Sequence, residues 1–229
     1  IENGDETAAL TAFTATTTSA TSVTLTADGA WSVTGSTLKT ALDDGVLLIG
    51  TLTVTEIAYG NEAAASTTYS KTATGASNVM LTASDGTWSV AASALNTDLD
   101  DDIRYAGALS VTGITDKSAA LTDYTTAKTG ATTNTLTADG TWSVAATTLD
   151  TALTAGVRLV GNLTVTGLAS GSETSALTTH TTAKTGATTN TLTASDTNWS
   201  VAAATLDTAL AAGVQLAGNL TVTGISTET

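Results

Sequence analysis

The stretch Thr135–Gly167, TLTADGTWSVAATTLDTALTAGVRLVGNLTVTG, contains each local signal found in this chain. Leu136 alternates with threonines, Asp139-Gly140 follows, and Trp142 and Val144 alternate with Ser143. Asp-Gly between two alternating runs predicts a β-hairpin. A short helical turn comes next, with Leu149 and Leu153 one turn apart and Gly156 to end it. Val157, Leu159, Gly161, Leu163 and Val165 then share one parity, opposite mostly polar residues. Period two over this length predicts a half-buried strand. Gly161 on its buried face predicts a bend, a bulge or a close approach by the tryptophan of the same repeat. A hairpin turn at Gly161-Asn162 is the other reading.

Outward from this stretch, the pattern recurs. Trp31, Trp88, Trp142 and Trp199 are spaced by 57, 54 and 57 residues, and residues 125–138 and 181–194 are identical. The heptapeptides 161–167 and 218–224 are identical too. Self-similarity at a fixed period marks an array. Four repeats follow, 1–57, 58–114, 115–168 and 169–225, with 226–229 opening a further one. Neither end reads as a polar cap, which predicts a window on a longer array or a subunit that continues into its neighbours. Leu38/Leu42, Leu95/Leu99 and Leu206/Leu210 repeat the helical pair, and Gly45 and Gly213 repeat its stop, which Asp102 replaces in the second repeat. The opening part of each repeat, such as Glu173–Gly186, reads as an edge strand because threonine favours strands; a short helix near Ala63–Ala65 is the alternative. The expected fold class is mainly β: tandem small antiparallel units, each with one short helical turn, stacked or strand-exchanged into an elongated rod.

Composition excludes several functions. The 229 residues include 56 Thr and 41 Ala, no Cys, no Pro and one His. A disulfide framework or a cysteine metal centre is therefore impossible. Seven basic against 21 acidic residues, net charge −14, argue against a nucleic-acid partner. No apolar run is long enough to insert in a membrane. One histidine leaves little material for acid–base chemistry near neutral pH.

Several residues invite a functional reading. The four tryptophans could form a sugar-stacking ladder, but their parity with Val33, Val90, Val144 and Val201 favours core packing. Asp98, Asp100, Asp101 and Asp102, with Asp43-Asp44 as the first repeat's counterpart, could hold Ca²⁺. Their spacing matches no calcium loop, so a solvated patch is the reading. His180 aligns with Tyr124, Tyr69 and Phe13, which reads as aromatic packing at a repeat junction. Asn162, Asn198 and Asn219 match the glycosylation triplet, as Thr-rich sequence does by chance. Outward rows such as Thr51, Thr53, Thr55, Thr164 and Thr166 read as ordinary strand surface, with ice or crystalline sugar as the alternative ligand. No catalytic, cofactor-binding or metal-ligating residue is assigned, and an enzyme is not expected.

The sequence Thr135-Leu-Thr-Ala-Asp-Gly-Thr-Trp-Ser-Val-Ala, followed by a leucine turn and a Thr/Val strand, resembles the immunoglobulin-like repeats of large bacterial surface adhesins and biofilm-associated proteins. The resemblance covers about thirty residues of each repeat. It implies that Trp31, Trp88, Trp142 and Trp199 are core residues. These repeats are shorter than that family's, and its calcium-ligand end is absent. The function it implies is a structural segment of a secreted or cell-surface protein, an adhesin stalk or self-assembling filament. A repeated binding module for glycan, ice or host surface, or a phage tail-fibre segment, is the alternative. Expected partners are end-to-end copies or neighbouring repeats, with cell-surface glycans as a further ligand.

Overall fold

A computed structural model of the chain describes residues 1–58, 60–169 and 171–225. It is a mixed α/β structure with parallel sheets. One element order recurs. The first cycle runs α1 (Glu6–Ala12), α2 (Ala15–Thr18), β1 (Val23–Thr26), β2 (Trp31–Thr34), α3 (Gly35–Asp43), β3 (Val46–Ile49) and β4 (Thr51–Ile57). The second has α4 (Glu62–Thr68), α5 (Lys71–Thr74), β5 (Asn78–Ala91), α6 (Ala92–Asp100) and β6 (Ile103–Ile114). The third has α7 (Lys117–Asp123), α8 (Thr126–Thr129), β7 (Thr133–Ala138), β8 (Trp142–Ala145), α9 (Ala146–Thr154), β9 (Val157–Val160) and β10 (Asn162–Leu168). The fourth has α10 (Glu173–Thr179), α11 (Thr182–Thr185), β11 (Thr189–Ala202), α12 (Ala203–Ala211) and β12 (Val214–Thr223). The expected opening of a further repeat at 226–229 lies outside the described residues.

The chain divides into two compact units, Ile1–Val111 with Thr126–Thr133, and Thr112–Thr125 with Asn134–Thr229. In the first unit β1 lies parallel to β3 with Val23 opposite Val46, and β2 parallel to β4 with Trp31 opposite Leu52. β4 then pairs in parallel with β5, Thr51 opposite Asn78. The resulting rows Trp31–Leu52–Val79 and Val33–Val54–Leu81 are at most 2% exposed and form the core. The second unit repeats the arrangement. β7 pairs with β9, and β8 with β10; β11 lies beside β10, and β12 beside β11.

This overturns the antiparallel expectation, and the reason is specific. A hairpin at Asp28-Gly29 or Asp139-Gly140 would pair the strands flanking it. Instead each strand finds its partner after a helix, because parallel neighbours need a crossover. α3 and α9 supply that crossover, each burying a leucine and an alanine, Leu38 with Ala41 and Leu149 with Ala152. In the second and fourth repeats the hairpin segment is one continuous strand, β5 or β11. The helical turn after the tryptophan is a nine-residue helix in all four repeats.

The opening of each repeat is a pair of helices rather than an edge strand. Threonine promotes these helices through its hydroxyl. Thr14 accepts from the Thr17 amide at 3.1 Å while Thr17 Oγ1 accepts from the Thr14 amide at 2.9 Å, a reciprocal N-terminal cap. Asp116 caps α7 by accepting from the amides of Ser118 and Ala119. Within helices, Thr40, Thr151 and Thr208 donate to the carbonyls of Ser36, Thr147 and Ala204, one turn back. The likeness to immunoglobulin-like adhesin repeats therefore fails at the level of fold. The adhesin-stalk and filament reading, its glycan, ice and tail-fibre alternatives, and the description as a β-rich repeat filament all depended on that fold. They fall with it: two compact α/β units with parallel sheets take its place.

Candidate functional site

Each tryptophan makes the same bond. The indole N–H donates to the carbonyl eighteen residues on: Trp31 to Ile49 at 3.0 Å, Trp88 to Ala106 at 2.8 Å, Trp142 to Val160 at 3.0 Å and Trp199 to Ala217 at 2.9 Å. The tryptophans are at most 2% exposed, so they are core rather than a sugar ladder. The residue after each accepting carbonyl is the strand glycine. Gly107 has φ +109°, and a Cβ there would lie 2.3 Å from the Gly86 carbonyl oxygen; at Gly218 it would lie 2.4 Å from that of Thr197. Gly107 and Gly218 thus mark a close approach, by a backbone carbonyl rather than by the tryptophan their parity suggested; at Gly50 and Gly161 the nearest atoms, the Gly29 and Gly140 carbonyl oxygens, would lie 4.0 Å from an added Cβ.

Against this repeated core the last strand stands apart. β12 ends its sheet, next to β11 alone. Leu163 and Leu220 occupy the same position of the identical heptapeptides, yet Leu163 is 1% exposed and Leu220 43%. Ile225 is 67% exposed, whereas Ile57 and Leu168 at the corresponding positions are each 5% exposed. Leu206 and Leu216 are half-buried, where Leu38 and Leu48 are fully buried. Leu210 is exposed as well. The difference lies in what covers these residues. β10 carries β11 on its flank, whereas β12 ends the order.

Among the residues singled out in the sequence, His180 is 2% exposed with Nε2 at 2.9 Å from Asp150 Oδ1. Its Nδ1 is buried without a hydrogen-bond partner. The aligned Tyr69 donates its hydroxyl to the Gly35 carbonyl at 2.7 Å, so this position ties the second of the paired helices' approach to the preceding crossover helix. Phe13, before which no crossover helix is described, is 48% exposed. Asn162, Asn198 and Asn219 are exposed.

The acidic cluster does not behave as one patch. Asp43, Asp44, Asp100 and Asp101 are exposed, and Asp102 bonds Lys71 at 2.8 Å. Asp98 is 7% exposed and accepts a short hydrogen bond from the Tyr105 hydroxyl. Burial holds the Asp98 carboxyl above its usual range, with hydrogen bonds from Tyr105 and Ser66 opposing the shift. Burial, then the bond to Asp98, drives the Tyr105 phenol upward. No group of three or more His, Asp or Glu able to hold a metal occurs among the described residues.

This network was legible but missed. Ser66, Asp98 and Tyr105 replace Leu10, Ala41 and Leu48 of the first repeat, three linked changes from apolar to polar. In the other repeats the corresponding places line shallow grooves. One of ≈460 Å³ includes Leu10, Thr11, Thr37 and Ala41; another of ≈480 Å³ includes Leu121, Thr122, Thr148 and Ala152. Hydroxyls and methyls wall both grooves, and Asp44 adds a carboxylate to the first.

No protein-family model, curated protein or solved structure matches the chain.

Proposed function

We propose that the chain is a non-catalytic association module: the open edge of β12 takes up one further parallel strand, from a segment built like its own repeats. The observation that carries this reading is the contrast between Leu163 and Leu220, 1% and 43% exposed in identical local sequence. An uncovered parallel edge with apolar residues on its core face gains stability by being covered. Leu216, Leu220 and Ile225 supply that apolar surface, at roughly 25 cal/mol per Å² buried. An extracellular setting belongs to the same proposal. A Thr-rich surface with few lysines supports it, and protease accessibility on intact source cells tests it.

Sedimentation velocity across a concentration series tests the association. The wild-type mass should rise above the 22.6 kDa of one chain. Leu220→Lys should weaken association on the order of tenfold, about 1.4 kcal/mol, with an unchanged circular dichroism spectrum. A wild-type protein that stays at one-chain mass at every concentration contradicts the reading.

A further inference from the structure

We infer that the strand taken up by β12 is β1 of a second copy, in a head-to-tail contact that reuses the chain's own internal junction. This rests on the association reading above. The junction is seen in each compact unit, and its anchoring bond recurs a third time, Thr132 N donating to the Gly107 carbonyl at 2.8 Å. Leu52 faces Val79 and Val54 faces Leu81 where β4 meets β5; Leu163 faces Asn190 and Val165 faces Leu192 where β10 meets β11. Each junction is anchored by one bond across it. Ser77 N donates to the Gly50 carbonyl at 2.9 Å, and Thr188 N to that of Gly161 at 2.8 Å.

Both halves of one more such junction exist, unjoined, on β12 and β1. β12 carries Gly218-Asn-Leu-Thr-Val222, identical to the Gly161–Val165 half. β1 ends the two-stranded order β1-β3; Ile1 meets its other edge only at the far end, donating to the Thr26 carbonyl at 3.1 Å and accepting from the Asp28 amide at 2.9 Å, which leaves residues 23–25 to a further strand. Transferring the register places Leu220 opposite Val23, Thr221 opposite Thr24 and Val222 opposite Leu25, with Thr21 N donating to the Gly218 carbonyl.

A second position of the repeat agrees. Tyr69 and His180 are 7% and 2% exposed because each seats against the crossover helix of the preceding repeat, at Gly35 and Asp150. Phe13 holds the same position and is 48% exposed, beside a groove of ≈400 Å³ lined by Ile1, Ala8, Ala9 and Ala12. In the head-to-tail contact Phe13 of the second copy seats against α12 of the first, at Ala203 and Asp207.

One residue departs from the internal pattern. Gly75 and Gly186 turn left-handed where an added Cβ would lie 2.9 and 3.0 Å from the Leu48 and Leu159 carbonyl oxygens. Ser19 holds that place in the first repeat, also left-handed at φ +58°. Its side chain spaces the contact slightly, so the joint between copies is looser than the joint within one.

The absence of cysteine makes the test direct. A chain carrying Thr24→Cys is mixed with one carrying Thr221→Cys and oxidised. Parallel neighbours lie about 4.8 Å apart, within disulfide reach. The mixed disulfide should form at least tenfold faster than a control pairing of Thr11→Cys with Thr221→Cys, and adding Ser19→Gly should raise its yield. Preferential Thr221→Cys homodimers would overturn the head-to-tail assignment while leaving edge association standing. Concentration-independent one-chain mass in the wild type, with cross-linking no faster than the control, would overturn both. A yield that does not rise with Ser19→Gly would overturn the spacing role given to Ser19 at the joint.

Discussion

Trp88 and Gly107 show how single residues hold one rung of this fold together. The indole N–H reaches the Ala106 carbonyl at 2.8 Å, and the ring meets Tyr105 edge-on with centroids 4.9 Å apart. Trp88→Phe should lose about 1–3 kcal/mol, because a part-buried carbonyl loses its donor; urea unfolding measures it, and an unchanged midpoint contradicts the bond's role. Gly107→Ala should cost about 3 kcal/mol or more, since the methyl meets the Gly86 carbonyl oxygen and the backbone lies at φ +109°. Asp98 sets a pH dependence. Its carboxyl is raised in the folded protein, so folding favours the protonated form. The stabilisation is complete below the ordinary carboxylate value of 3.8 and is lost as pH rises through the raised one. Ser66→Leu/Asp98→Ala/Tyr105→Leu installs the first repeat's residues. The melting temperature of wild type minus that of this variant should fall as pH rises from 3.5 to 7. A constant difference contradicts the assignment.

At the scale of elements, alternation was readable and partnership was not. Val46, Leu48, Leu52 and Val54 form the buried parity that period two indicates. Alternation is the same for parallel and antiparallel strands that bury one face, so it does not select between them. Asp-Gly selected the wrong one: it is a local signal, and the competing contact, the tryptophan's carbonyl eighteen residues on, is not local. Threonine misled in a second way. Its strand preference reflects side-chain stiffness, whereas at Thr14 and Thr17 the hydroxyls satisfy free amides at a helix start. Thr14→Ala should therefore destabilise the first compact unit by about 1 kcal/mol, read as a lower urea midpoint; an unchanged midpoint would return the segment to an ordinary loop. The candidate site was less legible still. Residues 161–167 and 218–224 are the same sequence, and only the sheet order separates a covered Leu163 from an uncovered Leu220.

For the whole molecule, repetition, charge and the open strands bear on one behaviour. The chain carries net charge −14, so two copies repel at long range. Association through an apolar strand edge should then strengthen between 20 and 300 mM NaCl, as screening removes the repulsion. Weakening over that range would point to ion pairs and against the apolar edge. The central claim is that β12 is an acceptor edge. Hydrogen–deuterium exchange of the amides of residues 219–222, followed as protein concentration is raised, tests it most directly. Protection of these amides should rise with concentration, together with that of residues 21–25, while β4 and β10 stay unchanged. Exchange at residues 219–222 that is independent of concentration would contradict it.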